Sequence, residues 1–124
     1  MPIKLNYDKP HNILTAKIIG TPVLDDFKDV FHKIMFASEI PFDVNTLWDI
    51  SEMHFETIDI EFERALIDMR KPFNQQRGDA KIAIYSDYKL GEPLVKLFII
   101  LAEDITQVMR AFTSLDETRA WLME

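Results

Sequence analysis

The sequence contains no cysteine, which removes disulfides, thiol nucleophiles and thiolate metal sites together and suits a reducing compartment. Glycine is scarce, at 3 residues, and no glycine-rich loop is present to hold a nucleotide phosphate. Long apolar runs are missing too. The longest strictly apolar stretch, Leu97 to Ala102, falls far short of the ~20 residues that cross a bilayer. The opening "MPIKLNYDKP" alternates apolar and polar residues and lacks the continuous apolar segment of a signal peptide, so a cytoplasmic location without a membrane span is expected. Positive charge is also in deficit. With 14 basic against 21 acidic residues, the formal charge of -7 opposes binding to nucleic-acid phosphates or anionic lipid. The basic cluster Arg70, Lys71, Arg77 and Lys81 is expected to be a solvated helix end.

What is present is a globular composition, 48% hydrophobic and 28% charged. A chain of 124 residues fits one domain, residues 1–124, large enough to bury a core without staples. Ile3, Leu5 and Tyr7 alternate with Lys4, Asn6 and Asp8, the period of a strand with one wet face, and "NILTAKIIG" after Lys9-Pro10-His11 completes a hairpin. Thr21-Pro22 reads as an N-cap followed by proline at the first helical position. Val23, Phe27, Val30, Phe31 and Ile34 then carry a helix to about Ala37.

"TLWDI" (46–50) is a short strand, and Ile58, Phe62, Ala65, Leu66 and Met69 form a second helical stripe up to the break at Pro72. "AKIAIYS" (80–86) is apolar almost throughout, as an interior strand should be. Pro93 opens a third helix to about Asp104, "TQVMRAF" makes a last strand, and Ser114 with Glu117 forms a capping box for "LDETRAWLME". The order ββαβαβαβα predicts an α/β layer fold with a mixed, mostly parallel sheet of about five strands and about four helices.

"KIAIYSDYKLGEPLVKLFIILAEDITQVMRAFTSLDETRAWL" resembles the SpoIIAA-like, or STAS-like, group of small bacterial proteins. The resemblance rests on an apolar strand, a strand ending in Arg110 and Phe112, and a short helix closing with Ala120, Trp121 and Leu122. The N-terminal half agrees more loosely, through the hairpin, the Gly20 turn and the strand ending at Asp49. The resemblance implies the α/β sandwich of anti-sigma factor antagonists. Those proteins carry a phosphorylatable serine in a pattern close to D-L-S-G-V-x-F-x-D-S-S-G. On "DISEMHFETIDI" the matches are Asp49, Ser51 and Phe55. Thr57 stands in place of the Asp, Ile58 in place of the phosphoacceptor, and Asp59 and Ile60 in place of the next Ser and Gly. The phospho-switch is therefore expected to be absent, and Thr57 is read as the N-cap of the second helix.

In open α/β sheets ligands bind beyond the carboxyl ends of the strands, which singles out Thr21, Asp49, Ser51, His54, Ser86, Asp87, Thr113 and Ser114. The resemblance to the antagonists adds the rest of loop 49–57, so that Asp49, Ser51, His54, Glu56, Thr57 and Asp87 are the partner-facing or ligand-facing candidates. Thr21 and Ser114 are better read as caps, and Ser86-Asp87 as a turn. For Asp49 and Ser51 the structural alternative is a carboxylate accepting nearby backbone N–H groups. A hydrolase would use Ser51 as nucleophile and His54 as base, oriented by Asp49 or Glu56, but there is no G-x-S-x-G elbow. His11, His32 and His54 lie on separate elements and offer no metal-ligand spacing. No catalytic residue, metal or cofactor is assigned.

The third helix is apolar beyond one face. Leu94, Leu97, Phe98, Leu101 and Ile105 suffice to cover a sheet, yet Val95, Ile99 and Ile100 extend the surface. A neighbouring helix, a homodimer interface or an apolar ligand pocket could bury the surplus, and of the last two the dimer is favoured. The expectation is a non-enzymatic STAS-like module acting through an unidentified protein partner, with loop 49–57 as its contact surface. The alternative is a binder of a small apolar or lipid-like ligand between the third helix and the sheet or terminal helix, helped by the adaptable Met35, Met53, Met69, Met109 and Met123. A small hydrolase ranks third.

Overall fold

The computed structural model describes residues 2–73, 78–87, 92–102, 105 and 107–124. The alternating N-terminus forms the hairpin of β1 (Ile3–Asp8) and β2 (Ile13–Gly20), and α1 (Leu24–Phe36), β3 (Asn45–Met53) and α2 (Ile60–Arg70) follow. After a 3-10 turn at Lys71–Phe73 come β4 (Lys81–Tyr85), α3 (Glu92–Leu101), β5 (Val108–Phe112) and α4 (Leu115–Leu122). The order is the one the periodicities predict. Asp104, Arg77 and Thr106 lie outside the described residues, so the expected end of the third helix and part of the basic cluster are not placed.

The five strands lie in the order β1-β2-β3-β4-β5, β1 antiparallel to β2 and the remaining pairs parallel. Each parallel connection steps one strand in the same direction. Because such crossovers are right-handed, α1, α2 and α3 all fall on one face and α4 is left to cover the other. The register then sorts the side chains. Leu14, Thr46, Ile82 and Met109 share one row and Ala16, Trp48 and Ile84 the next, and most of them join the main core with Phe27, Val30, Phe31, Ile34 and Leu66. The opposite rows supply Ile13, Leu47 and Ala83, which pack with Trp121 and Leu122 of α4 into a second, smaller core.

This second core accounts for the residues behind the family resemblance. Phe112 and Trp121 have ring centroids 5.5 Å apart, and the Arg110 guanidinium lies 5.2 Å from the Phe112 centroid and 5.5 Å from that of Trp121. Lys81 covers Trp121 at 5.3 Å and donates to its carbonyl at 2.9 Å. These contacts hold α4 to the sheet. Asn45 reinforces them, since its Oδ1 accepts from the Lys81 N–H at 2.8 Å and its Nδ2 donates to the Leu122 carbonyl at 3.2 Å. Asn45→Ala strips partners from both β4 and the end of α4, and is expected to cost ~2 kcal/mol in urea denaturation.

Three local expectations need correction. Thr21 does not cap α1. The chain stays extended through a buried Pro22, the N-cap is Val23, and the Asp26 carboxylate accepts the Val23 N–H at 2.8 Å. Thr57 does not cap α2 either; Asp59 does, accepting the Phe62 N–H at 2.8 Å. An aspartate is as good a cap as threonine, and here it stands where the helical turn starts. Arg70, expected in solvent, is buried. Its guanidinium lies 5.9 Å from the Phe31 ring centroid and donates to Gln107 at 3.5 Å, a placement open to arginine because its planar head stacks on aromatic faces.

Candidate functional site

The polar stretch of β3 owes its geometry to a register shift. Lys17 pairs with Asp49 but Ile19 pairs with Glu52, so β3 spends one more residue than β2 over this interval. A bulge of this kind leaves one backbone group outside the ladder and redirects the following side chains. Asp49 supplies the compensation: its Oδ1 accepts the Ser51 N–H at 3.0 Å and the Ser51 hydroxyl at 2.6 Å. Among the described residues the Ser51 hydroxyl therefore pairs with Asp49, and no hydrogen bond joins it to His54. His54 is exposed and tied down through its backbone, its N–H donating to the Gly20 carbonyl at 2.7 Å.

Glu56, Thr57 and Asp87 are exposed. Lys17 and Glu52 form a surface ion pair at 2.6 Å, and this contact, first through its hydrogen bond and then through its charge, raises the Lys17 pKa. Asp49 shares its row with Lys17 and Tyr85, on the α4 side of the sheet. The bulge sends Met53 to the other side.

That other side holds a cavity of about 100 Å³ between the sheet and α1, α2 and α3. Its floor is Ile18, Trp48, Ile50, Met53, Ile82, Ile84 and Met109, and its walls are Phe27 and Phe31 of α1, Phe62 and Leu66 of α2, and Val95 and Phe98 of α3. Phe55 and Ile58, from the loop between β3 and α2, close one end. The aromatic wall is mutually braced: Phe27 meets Trp48 at 5.8 Å and Phe62 edge-on at 5.9 Å, and Phe31 meets Trp48 edge-on at 6.0 Å. Such rigid, offset ring contacts hold a wall in place rather than letting it collapse inward.

Two charged residues also line this apolar space, Glu63 and Arg70. Both come from α2 and are seven residues apart, so ~10 Å of helix separates an acidic end from a basic end. Glu63 is 3% exposed, and its Oε2 is buried with no hydrogen-bond partner among the described residues. Burial, aided by the negative charge of Asp59, raises the Glu63 pKa from 4.5 to about 7. Arg70 is instead engaged with Phe31 and Gln107, and Gln107 donates onward to the Gly78 carbonyl at 3.1 Å.

Of the third-helix residues singled out above, Val95 is buried and lines the cavity, Ile99 packs partly against the core, and Ile100 is 65% exposed. Glu63 and Arg70 were not among the candidate site residues. The signal is present in the sequence: Glu63, Leu66, Ile67 and Arg70, spaced i, i+3, i+4 and i+7, are the buried residues of α2. A stripe drawn from apolar residues alone runs through Phe62 and Ala65 and passes over the charged members of the buried row.

No protein-family profile matches the chain, and no curated protein shows significant similarity to it. Among solved structures, the chain is similar to the crystal structure of an uncharacterised protein of the DUF3478 family, with a SpoIIAA-like fold, from Shewanella loihica PV-4. The two share 14% sequence identity at a TM-score of 0.64, over 97% of this chain and 91% of the other. At that identity the likeness concerns architecture. The order of elements, the five-stranded, mostly parallel sheet and the four helices, together with this match, establish a SpoIIAA-like α/β fold.

Proposed function

We propose that this protein binds a small apolar molecule in the cavity between the sheet and α1, α2 and α3. The observation that carries this reading is the cavity itself, about 100 Å³ and walled by aromatic and aliphatic side chains. Protein interiors are close-packed, and voids larger than a water molecule are few. Cavities with apolar walls accept apolar guests. Concave, mostly apolar space with a few polar groups is also the usual form of a small-molecule site.

A second reading, an interaction module that pairs with itself or another protein, draws on the exposure of Ile100 at 65% on the outer side of α3 and on the exposed loop residues His54, Glu56 and Thr57. Among the described residues no helix is long and apolar enough to cross a membrane, and no group of His, Asp or Glu could hold a metal. Native mass spectrometry of the purified protein and of Val95→Trp, which fills the cavity, separates the two readings. The ligand reading expects a nonpolar adduct, or one acquired on adding a short alkane or alcohol, that Val95→Trp loses. A bare dimer that takes up no adduct would instead favour the interaction module.

A further inference from the structure

We infer that the cavity's ligand is a compact aliphatic amine whose ammonium group pairs with the Glu63 carboxylate. This rests on the cavity being a binding site and goes beyond it by naming the chemistry of the guest.

Among the described residues, one carboxylate lining the cavity has an oxygen without a partner. Glu63 lines the space, is 3% exposed, and points an Oε2 without a hydrogen-bond partner into surroundings that are otherwise apolar. A buried carboxylate left unpaired is costly, and it is retained where something supplies a donor or a positive charge. Among the described residues, those lining the cavity from β2, β3, β4, β5, α1 and α3 are uncharged, and the other charged lining residue, Arg70, stands two helical turns away, engaged with Phe31 and Gln107. Asp59, whose charge acts on Glu63, is negative. The missing complement is therefore a cation.

The rest of the site selects for the same chemistry. The exposed residues at this end of α2 include Glu56, Asp59 and Glu61, and the protein as a whole carries -7, a field that draws small cations inward. Phe62 and Phe27 border the cavity, and aromatic faces add to the attraction for ammonium groups. Size limits the guest. A cavity of ~150 Å³ takes benzene, with six carbons, so about 100 Å³ suits a guest of about four heavy atoms, the size of propylamine.

The test is thermal denaturation at pH 8 with millimolar propylamine, propan-1-ol or propanoate, on the wild type and on Glu63→Gln. Propylamine is expected to raise the Tm most, and Glu63→Gln to weaken the amine about tenfold or more, the factor expected for a charge-assisted hydrogen bond, and to weaken the alcohol, a neutral donor, by less. Glu63→Leu serves as a second variant and should lose the amine's advantage in the same way. If propan-1-ol or propanoate stabilises the wild type as well as the amine does, the Glu63 pairing is overturned and the apolar site stands. If none of the three shifts the Tm, the apolar site falls and the amine with it.

Discussion

Glu63→Gln is expected to stabilise the ligand-free protein by up to ~3 kcal/mol at pH 8 and to change it little near pH 4.5. The folded Glu63 carboxyl titrates at about 7, raised by burial and by Asp59 from 4.5. Between those values the folded state keeps a proton that the unfolded state has released, so stability falls as the pH rises across the window and is level above it. Glutamine has nearly the same shape and never ionises, which removes the slope. Of the described charged groups near Glu63, Asp59 opposes its ionisation, and Arg70 lies at the far end of the cavity. Urea denaturation of both proteins at half-unit intervals from pH 4.5 to 8.5 measures the difference. Parallel curves would show that the carboxyl is solvated or paired after all.

Trp48→Ala is expected to cost ~3–5 kcal/mol, the range for removing a large aromatic from a packed core. Trp48 is buried at the centre of the main sheet face, with Phe27 at 5.8 Å and Phe31 at 6.0 Å. Its loss joins the space it occupied to the existing cavity and leaves two rings of α1 without their sheet contact. Because domains of this size are stable by only about 5–15 kcal/mol, the variant should unfold at much lower urea. The remaining tryptophan, Trp121, lies in the second core on the opposite face, so its fluorescence reports global unfolding independently of the site. A loss under ~1 kcal/mol would mean that α1 settles onto the sheet and closes the gap.

Periodicity made the architecture legible. Alternation at Ile3, Leu5 and Tyr7, the apolar run of β4 and the helical stripes each reflect burial of one face of an element, and that constraint is written locally. The N-caps were less legible. Thr21 and Asp26 both carry chemistry suited to a helix start, as do Thr57 and Asp59, and only the backbone path selects Asp26 and Asp59. Asp49 and Ser51 have types that suit catalysis, but the preferred reading, a carboxylate accepting nearby backbone N–H groups, is the one the geometry shows. In three dimensions they satisfy a bulge, a feature that depends on the neighbouring strand and leaves no mark within β3 alone.

The cavity lay beyond sequence altogether. Its lining comes from four strands, three helices and one loop, brought together only when the crossovers place α1, α2 and α3 on the same side of the sheet. A void is the failure of distant side chains to fill a space, and no one segment encodes it. Glu63 shows the same division. By itself the sequence determined that a carboxylate stands on the second helix, in a row with Leu66, Ile67 and Arg70; the tertiary structure alone decided that this row is buried toward the sheet, where the carboxylate meets no cation among the described residues.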